Sequence, residues 1–368
     1  MSSNSIAIVL VLIIVAVGVG WFVTRSEQID IPIGETTQEA VIIKNDEIDS
    51  VRPDFAQEQA QKEKAVATNF QTTKEIMVTN GVKHSIPLEE IVGGGPPKDG
   101  IPSIDDPKFI SAKEANDWLG DNEPGISFSR GGIDRFYPYQ ILVWNEIVND
   151  TINGERVLIS YCPLCLSGIV FDPLVQGERV EFGISGKLWR SNLVMYDRKT
   201  DSLWPQVLGE AVVGEMTGTK LKILPSDQVL YGNWKKKFPN GEVLSRDTGT
   251  FRNYGTSPYG DYFAVTNLSL SLTNPTDTRL PNDALILGIV INEKAKAYSI
   301  DTIREKGVVE DTFEGKNLVL RYDSALDVTQ IFEKLPDGSE ERINPFSAFW
   351  FSWAAAHPDT KVYIINSS

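Results

Sequence analysis

Cysteine and histidine are scarce in this chain of 368 residues. Its cysteines are Cys162 and Cys165, and its histidines are His84 and His357. Two cysteines exclude a small fold stapled by several disulfides. Two histidines limit any metal site that is built mainly from imidazole.

Basic residues are also fewer than acidic ones, with 35 Lys and Arg residues against 50 Asp and Glu residues. The net charge is therefore -15, and the pI is near 4.7. A phosphate backbone would be repelled by this charge, so we expect no nucleic-acid partner. Hydrophobic residues make up 41% and charged residues 23%, which is typical of globular proteins. The length allows one large domain or two ordinary ones.

An apolar segment without charged residues covers residues 6–23. As a helix with a rise of about 1.5 Å per residue, it would be just long enough to cross the core of a bilayer. Trp21 and Phe22 stand where interfacial aromatic residues are expected. The basic residues and small-residue cleavage site of a signal peptide are missing, so we predict a single-pass transmembrane anchor over residues 1–25.

The orientation of this anchor has conflicting signals. Arg25, on the C-terminal side of the segment, weakly favours a cytoplasmic domain by the positive-inside rule. Short N-terminal tails, however, more often stay inside, which would place the rest of the chain outside. We predict an extracytoplasmic domain that is held to the membrane by the N-terminal helix.

Two regions follow the anchor. Residues 26–82 are poor in aromatics and rich in Glu, Gln, Thr and Asp, which predicts a polar, partly helical spacer. Residues 83–368 contain many short runs rich in Val, Ile, Tyr and Phe that end at Gly or Asp turns. We predict a single globular domain of the β-rich α+β class, with a sandwich- or barrel-like antiparallel core and a few covering helices. One of these helices should begin at Ser111, with Glu114 completing a capping box.

The clearest chemical signal is the segment SYCPLCLSG, in which Cys162 and Cys165 have C-x-x-C spacing. The preceding run RVLISYC and the following run SGIVFD both read as strands, so the helix that activates a thioredoxin-type cysteine is missing. A disulfide, either redox-active or structural, is one interpretation in an exported domain.

Two other interpretations of the cysteine pair stay open. Strand–C-x-x-C–strand resembles half of a metal knuckle, with His357 and Met195 as candidate further ligands. Soft sulfur and imidazole suit copper or zinc. Alternatively, both cysteines pack a tight turn as small hydrophobic residues.

Charged residues elsewhere suggest a polar cleft that contains Arg190, Asp197, Arg198 and Asp247. Two carboxylates in one cleft could carry acid–base chemistry. The segment LSRDTGTFRNYG also offers Arg246 and Arg252 as an anion cradle. Surface ion pairs are the simpler interpretation of both groups.

Several segments together resemble the family named domain of unknown function 3179. They are PPKDGIPSIDDPKF, YPYQILVWNEIVND, YCPLCLSGIVFDP, FGISGKLWRSNLVMYDRKTDSLWPQ, LSRDTG, SPYGDY and WAAAHPDTKVY. The resemblance implies an exported or membrane-tethered protein of a type widespread in bacteria and archaea, and it brings no known activity. Relatives often have His in the motif W-H-E-I-V-N-D, where this chain has Asn145 before Glu146. If that His binds a metal, Asn145 is a poor substitute.

Together these features predict a membrane-tethered extracytoplasmic protein that binds a metal or carries out thiol redox chemistry through Cys162 and Cys165. The alternative is a binding or assembly module without enzymatic activity, in which the cysteines are structural. The sequence indicates no particular substrate and no particular protein partner.

Overall fold

The computed structural model describes residues 41–43, 74–259 and 277–363. Strands dominate these ranges, and the α-helices within them are short. The helices are α1 (Ala112–Ala115), α2 (Tyr139–Asn145), α3 (Tyr231–Lys237), α4 (Ile300–Lys306) and α5 (Trp350–Ala356). Two single turns of 3₁₀-helix cover Leu88–Glu90 and Pro163–Cys165.

Helix α1 begins as its sequence predicts. The Ser111 hydroxyl accepts a hydrogen bond from the Glu114 backbone N–H at 3.2 Å, and the Glu114 carboxylate accepts one from the Ser111 backbone N–H at 2.9 Å. This capping box satisfies two backbone N–H groups that the first turn leaves without partners. The predicted box is therefore confirmed.

Four sheets are formed by the first part of the described chain. The first sheet has the spatial order β1 (Val41–Ile43), β2 (Ile76–Thr79), β3 (Val82–His84), and the second has the order β16 (Lys222–Leu224), β10 (Ser167–Asp172), β9 (Glu155–Cys162), β8 (Ile147–Ile152). The third sheet has the order β15 (Leu203–Pro205), β14 (Asn192–Asp197), β13 (Phe182–Trp189), β4 (Ile91–Gly93). The fourth sheet has the order β17 (Ser226–Leu230), β6 (Pro124–Arg130), β7 (Ile133–Pro138), β18 (Glu242–Leu244), β5 (Phe109–Ser111). The hairpin of β11 (Leu174–Val175) and β12 (Glu178–Arg179) stands apart.

Two further sheets follow. Their spatial orders are β25 (Phe346–Phe349), β19 (Leu285–Ile291), β20 (Lys294–Ser299) and β26 (Lys361–Val362); and β21 (Val308–Phe313), β22 (Lys316–Asp323), β23 (Val328–Lys334) and β24 (Glu340–Ile343). Among the paired strands of the described residues, β7 with β18 and β20 with β26 run parallel, and the others run antiparallel. The prediction of a β-rich antiparallel fold with few helices is confirmed. A sandwich- or barrel-like arrangement stays a prediction.

The largest apolar cluster joins strands from several sheets with helix α5. It includes both cysteines, Met195 of β14, Trp204 of β15 and Trp350 of α5, all of them fully buried. Burying such large side chains stabilises the fold by about 25 cal/mol for each Å² of apolar surface removed from water. The cysteine pair therefore lies inside a packed core.

The predicted anchor, residues 6–23, lies outside the described residues. Within those residues, no helix has the length and apolarity needed to cross a membrane. Strands β1 and β2 fall inside residues 26–82, where we expected a spacer, and the domain boundary at residue 83 stays a prediction.

Candidate functional site

The cysteine pair closes a β-hairpin. Strand β9 ends at Cys162, the 3₁₀ turn Pro163–Cys165 follows, and β10 begins at Ser167, which pairs with Cys162 across the ladder. Leu166 adopts the left-handed conformation, with φ 50° and ψ 35°, to bring the chain back. No α-helix follows the first cysteine in this hairpin, so the arrangement expected from the two flanking strands is confirmed.

Strand β14 presents hydrogen-bond donors to both sulfur atoms. The Asn192 side-chain Nδ2 donates to Cys165 Sγ at 3.1 Å, and the Leu193 backbone N–H donates to Cys162 Sγ at 3.4 Å. Both thiols are free, and the two cysteines are fully buried. N–H donors that point at sulfur favour the thiolate over the thiol.

A buried amide network fixes the orientation of these donors. The Val207 backbone N–H donates to Asn192 Oδ1 at 2.8 Å, so the Asn192 nitrogen must face the sulfur. Gln206 Nε2 donates to the Ser160 hydroxyl and to the Ser167 carbonyl, each at 3.1 Å. Gln206 Oε1 is then left to accept from Asn192 Nδ2 at 3.1 Å.

Ser167 connects this network to the cysteine pair. Its hydroxyl donates to Gln206 Oε1 at 2.6 Å and lies 3.3 Å from Cys165 Sγ. A hydroxyl has one hydrogen, so it can accept from a Cys165 thiol while bonded to Gln206, or turn to donate to a Cys165 thiolate. Both protonation states of Cys165 therefore find a partner in Ser167.

The two thiols have opposite acidities. Burial raises the pKa of Cys162 well above its usual range, and the hydrogen bond that its thiol donates to Cys165 raises it further. Burial also acts to raise the pKa of Cys165, but hydrogen bonds from Cys162, Ser167 and Asn192 outweigh it and lower that pKa to about 7. Cys165 is thus the more acidic thiol of the pair, and Cys162 keeps its proton near neutral pH.

Glu146 is a buried carboxyl group whose charge acts on both thiols. It caps the C-terminus of α2 with φ 56° and ψ -33°, a backbone conformation that non-glycine residues seldom adopt. Burial raises its pKa to about 7, against a hydrogen bond of 3.0 Å from the Tyr259 hydroxyl to Oε1, and the charge of Cys165 raises it further.

Cys165 and Glu146 therefore compete for one negative charge. Each has a pKa of about 7, and the charge of Cys165 opposes ionisation of Glu146. Burial, together with the charges of the two cysteines and Glu146, raises the pKa of the neighbouring Tyr161, which stays protonated. Two like charges in a buried space are costly, so a proton is held by one group or the other near neutral pH.

The family model for DUF3179, a protein of unknown function, matches residues 98–360, more than half of the chain. The chain belongs to the DUF3179 family. This confirms the family that the sequence segments indicate. No curated protein and no solved structure matches the chain. The matched range contains both cysteines, the amide network and Glu146.

In this DUF3179 protein, Asn145, which stands where relatives often have histidine, forms hydrogen bonds with two neighbouring loops. Asn145 Nδ2 donates to the Pro102 carbonyl at 2.9 Å, and its Oδ1 accepts from the Tyr254 hydroxyl at 2.9 Å. The nitrogen and the oxygen of the amide thus each form a hydrogen bond between α2 and a neighbouring loop. Glu146, the next residue, is the one whose charge reaches the cysteines.

In the described part of the chain, no group of three or more His, Cys, Asp or Glu side chains could hold a metal ion. His357 follows α5 with its ring 4.1 Å from that of Trp353, and burial and the charges of Lys74 and Lys220 lower its pKa to about 3. Met195 is fully buried on β14, opposite Ile184 and Trp204. A copper or zinc site stays a prediction.

The four residues predicted to form a polar cleft each have separate partners. Arg190 pairs with Glu90, and Asp247 pairs with Lys108 at 2.8 Å. Asp197 is fully buried and accepts from the Trp204 indole N–H at 2.9 Å.

The fourth residue, Arg198, pairs with Asp105 at 2.8 Å and with Glu181 at 3.1 Å. Those two carboxylates line a surface depression of about 50 Å³. A depression of this size is far below the several hundred Å³ of a usual ligand pocket. The ion-pair interpretation therefore describes these residues better than a cleft does.

Asn192, Gln206, Ser160 and Ser167 were missed by sequence reasoning. Each is fully buried within segments made mostly of strand-forming apolar residues. A polar side chain at such a position needs an internal partner, which is the one signal that could have singled these residues out. The sequence does not say that the partner is a cysteine.

Proposed function

We propose that Cys162 and Cys165 form a dithiol–disulfide redox centre. The observation that carries this proposal is that an N–H donor points at each buried sulfur, from Asn192 to Cys165 and from Leu193 to Cys162. The hydrogen bonds that Cys165 receives lower its pKa, whereas burial raises the pKa of Cys162. A thiol pair that only filled a turn would not need donors aimed at sulfur.

The reaction that fits the pair is thiol–disulfide exchange with a disulfide substrate. The Cys165 thiolate attacks one sulfur of the substrate, which forms a mixed disulfide and releases one substrate thiolate. Glu146, which is protonated while Cys165 carries the charge, gives its proton to this thiolate. The Glu146 carboxylate then accepts the proton of Cys162, whose thiolate attacks Cys165 Sγ and expels the second substrate thiolate. The protein dithiol is oxidised, the substrate disulfide is reduced, and the two substrate thiolates take up two protons.

Access to the sulfur atoms is restricted. Both cysteines are fully buried beneath the turn, in which Leu164 and Leu166 are partly exposed. Exchange therefore requires a small disulfide or a local opening of the turn. We expect small reagents to react much faster than large ones, because burial rather than thiol acidity limits the reaction.

The test uses the full-length protein in detergent. The protein is equilibrated with mixtures of reduced and oxidised dithiothreitol and alkylated, and its intact mass is then measured by mass spectrometry. We expect one transition in which both thiols are lost together, at a single midpoint potential. Cys162→Ser and Cys165→Ser should each leave one alkylated thiol at every potential, and the double serine variant should leave none.

Two other outcomes would refute the redox proposal. Two alkylated thiols at every potential would favour the structural interpretation, that of a binding or assembly module. Added mass under native conditions that disappears in Cys162→Ser would indicate a metal held by sulfur, for which copper and zinc are the candidates.

We further propose that residues 6–23 anchor the protein in a membrane and that the cysteine-containing domain lies outside the cytoplasm. The length and apolarity of this segment support the anchor, and an exported setting suits a disulfide centre. The full chain should stay with membranes after carbonate extraction and dissolve in detergent. Protease added to right-side-out vesicles should cleave it, and protection there with cleavage in inverted vesicles would refute the orientation.

A further inference from the structure

Arg246 and Arg252 differ from the other arginines of the described ranges 74–259 and 277–363. Each of the others forms an ion pair with Asp or Glu. Arg246 and Arg252 form none with any residue that the structure describes. This is notable in a chain whose net charge is -15, because carboxylates outnumber cations by a wide margin.

These two arginines lie along one face of helix α2. Arg246 Nη2 donates to the side-chain amide oxygen Oε1 of Gln140, and the Arg252 guanidinium is 6.0 Å from the ring centre of Trp144. Gln140 and Trp144 are four residues apart in α2, which places them one above the other, about 6 Å along the axis. The two guanidinium groups are thereby held on neighbouring turns of the same helix face.

The loop that carries the arginines is fixed to α2. The Trp144 indole N–H donates to the Thr256 carbonyl at 2.9 Å, and the Tyr254 hydroxyl donates to Asn145 at 2.9 Å. Trp118 stacks on Arg246, with the guanidinium 4.4 Å from the ring centre. Aromatic stacking holds a guanidinium flat and leaves its N–H edges for a ligand.

Both guanidinium groups have hydrogen-bonding capacity that the described residues do not use. The Nε–H groups of Arg246 and Arg252 are buried and have no acceptor among those residues. Both arginine residues are partly exposed, which leaves them accessible to a ligand from solvent. Burial lowers the pKa of Arg246, against the charge of Glu123. A cation that is partly desolvated and unpaired gains more from an anion than a fully solvated one does.

We propose that Arg246 and Arg252 form a binding site for an oxyanion, either the carboxylate or the phosphate group of a small ligand. Planar guanidinium forks match both groups, since each offers two oxygens to parallel N–H donors. Two forks on adjacent helical turns can hold one tetrahedral phosphate or the two ends of a short dicarboxylate. The site does not use either cysteine and does not depend on the redox proposal.

The first test is calorimetric titration of the full-length protein in detergent, with potassium phosphate in one arm and succinate in the other. Ionic strength is held constant with chloride in both arms. We expect one anion to bind per chain, and the arm that binds tells phosphate from carboxylate. Arg246→Gln and Arg252→Gln should each weaken binding about tenfold or more. The control Arg304→Gln, which removes a charge that is paired with Asp327, should leave the affinity unchanged.

A second measurement needs no variant. Phenylglyoxal modifies accessible, unpaired guanidinium groups, and peptide mapping identifies the modified residues. We expect modification at Arg246 and Arg252, with protection by the anion that binds in the titration. The proposal is overturned if neither anion binds, if both glutamine variants bind like the wild type, or if the anion gives no protection. The Cys162→Ser variant should bind the anion normally, so failure here is distinct from failure of the redox centre.

Discussion

Replacing the buried Glu146 by Gln is expected to change how the stability of the fold depends on pH. In the folded protein the pKa of this carboxyl is about 7, against an ordinary value of 4.5. Between these two values the folded chain keeps the proton and the unfolded chain has lost it. The free energy of unfolding therefore falls as pH rises through this window, and it levels off above the folded pKa.

The size of the effect follows from the two pKa values of Glu146. Each pKa unit corresponds to about 1.4 kcal/mol, so burial of the carboxylate costs about 3 kcal/mol once the group is fully ionised. About 2.5 kcal/mol of this cost develops between pH 5 and pH 8. Glu146→Gln has no charge to bury, and its amide oxygen can still accept from the Tyr259 hydroxyl, so the variant should avoid this loss.

The assay is urea unfolding of the full-length protein in detergent at pH 5 and at pH 8, followed by tryptophan fluorescence under reducing conditions. The free energy of unfolding of Glu146→Gln, compared with that of wild type, should be higher at pH 8 than at pH 5 by about 2.5 kcal/mol. Cys165 also titrates in this range and is coupled to Glu146, so the same comparison is repeated in the Cys165→Ser background, where this thiol is absent. The control Glu305→Gln changes an exposed residue of α4, and its free energy of unfolding should depend on pH as that of wild type does. The same pH dependence in Glu146→Gln would refute the reasoning that Glu146 is a buried acid of raised pKa.

Three other predictions rest on single contacts. Asn192→Ala removes the 3.1 Å hydrogen bond to Cys165 Sγ and should raise the pKa of that thiol by about one unit, as read from the pH dependence of its alkylation; an unchanged profile would contradict the role given to the amide. Asp150→Asn breaks the buried 2.6 Å ion pair with Arg135 and should cost about 3 kcal/mol of stability in urea unfolding; a cost near zero would contradict it. Gly288→Ala places a Cβ 2.5 Å from a buried tryptophan ring and should cost about 2 kcal/mol or prevent folding, whereas wild-type stability would show that the core can yield there.

Local patterns in the sequence predicted local structure well. The Ser111 capping box depends on residues three positions apart, so its sequence signature determines its geometry. The runs RVLISYC and SGIVFD form β9 and β10, and the turn Pro163–Cys165 joins them. The family was also readable, because its segments lie in order along the chain.

Contacts between distant residues follow less directly from the sequence. The chemistry of His357 and Met195 makes them candidate ligands, and this stays a prediction; among the described residues, no group of three or more His, Cys, Asp or Glu side chains could hold a metal ion. Arg190 and Asp247 were grouped for their charge, yet each pairs with a separate carboxylate or amine. Composition reveals which groups are present, but not which of them share a space.

The sequence by itself determined the strands, the turn that brings Cys162 and Cys165 together, and the excess of acidic charge that makes unpaired arginines unusual. Tertiary structure decided what surrounds the sulfur atoms. Asn192 reaches Cys165, and Gln206 reaches Asn192 and Ser167, because β14 and the segment after β15 pack against the hairpin of β9 and β10. Tertiary structure likewise brought Arg246 and Arg252 onto one face of α2. The physical reason is the distance over which each effect acts. The spacing of residues along the chain sets the backbone conformation over a few residues, whereas the burial and protonation of a side chain depend on residues that only the folded chain brings close to it.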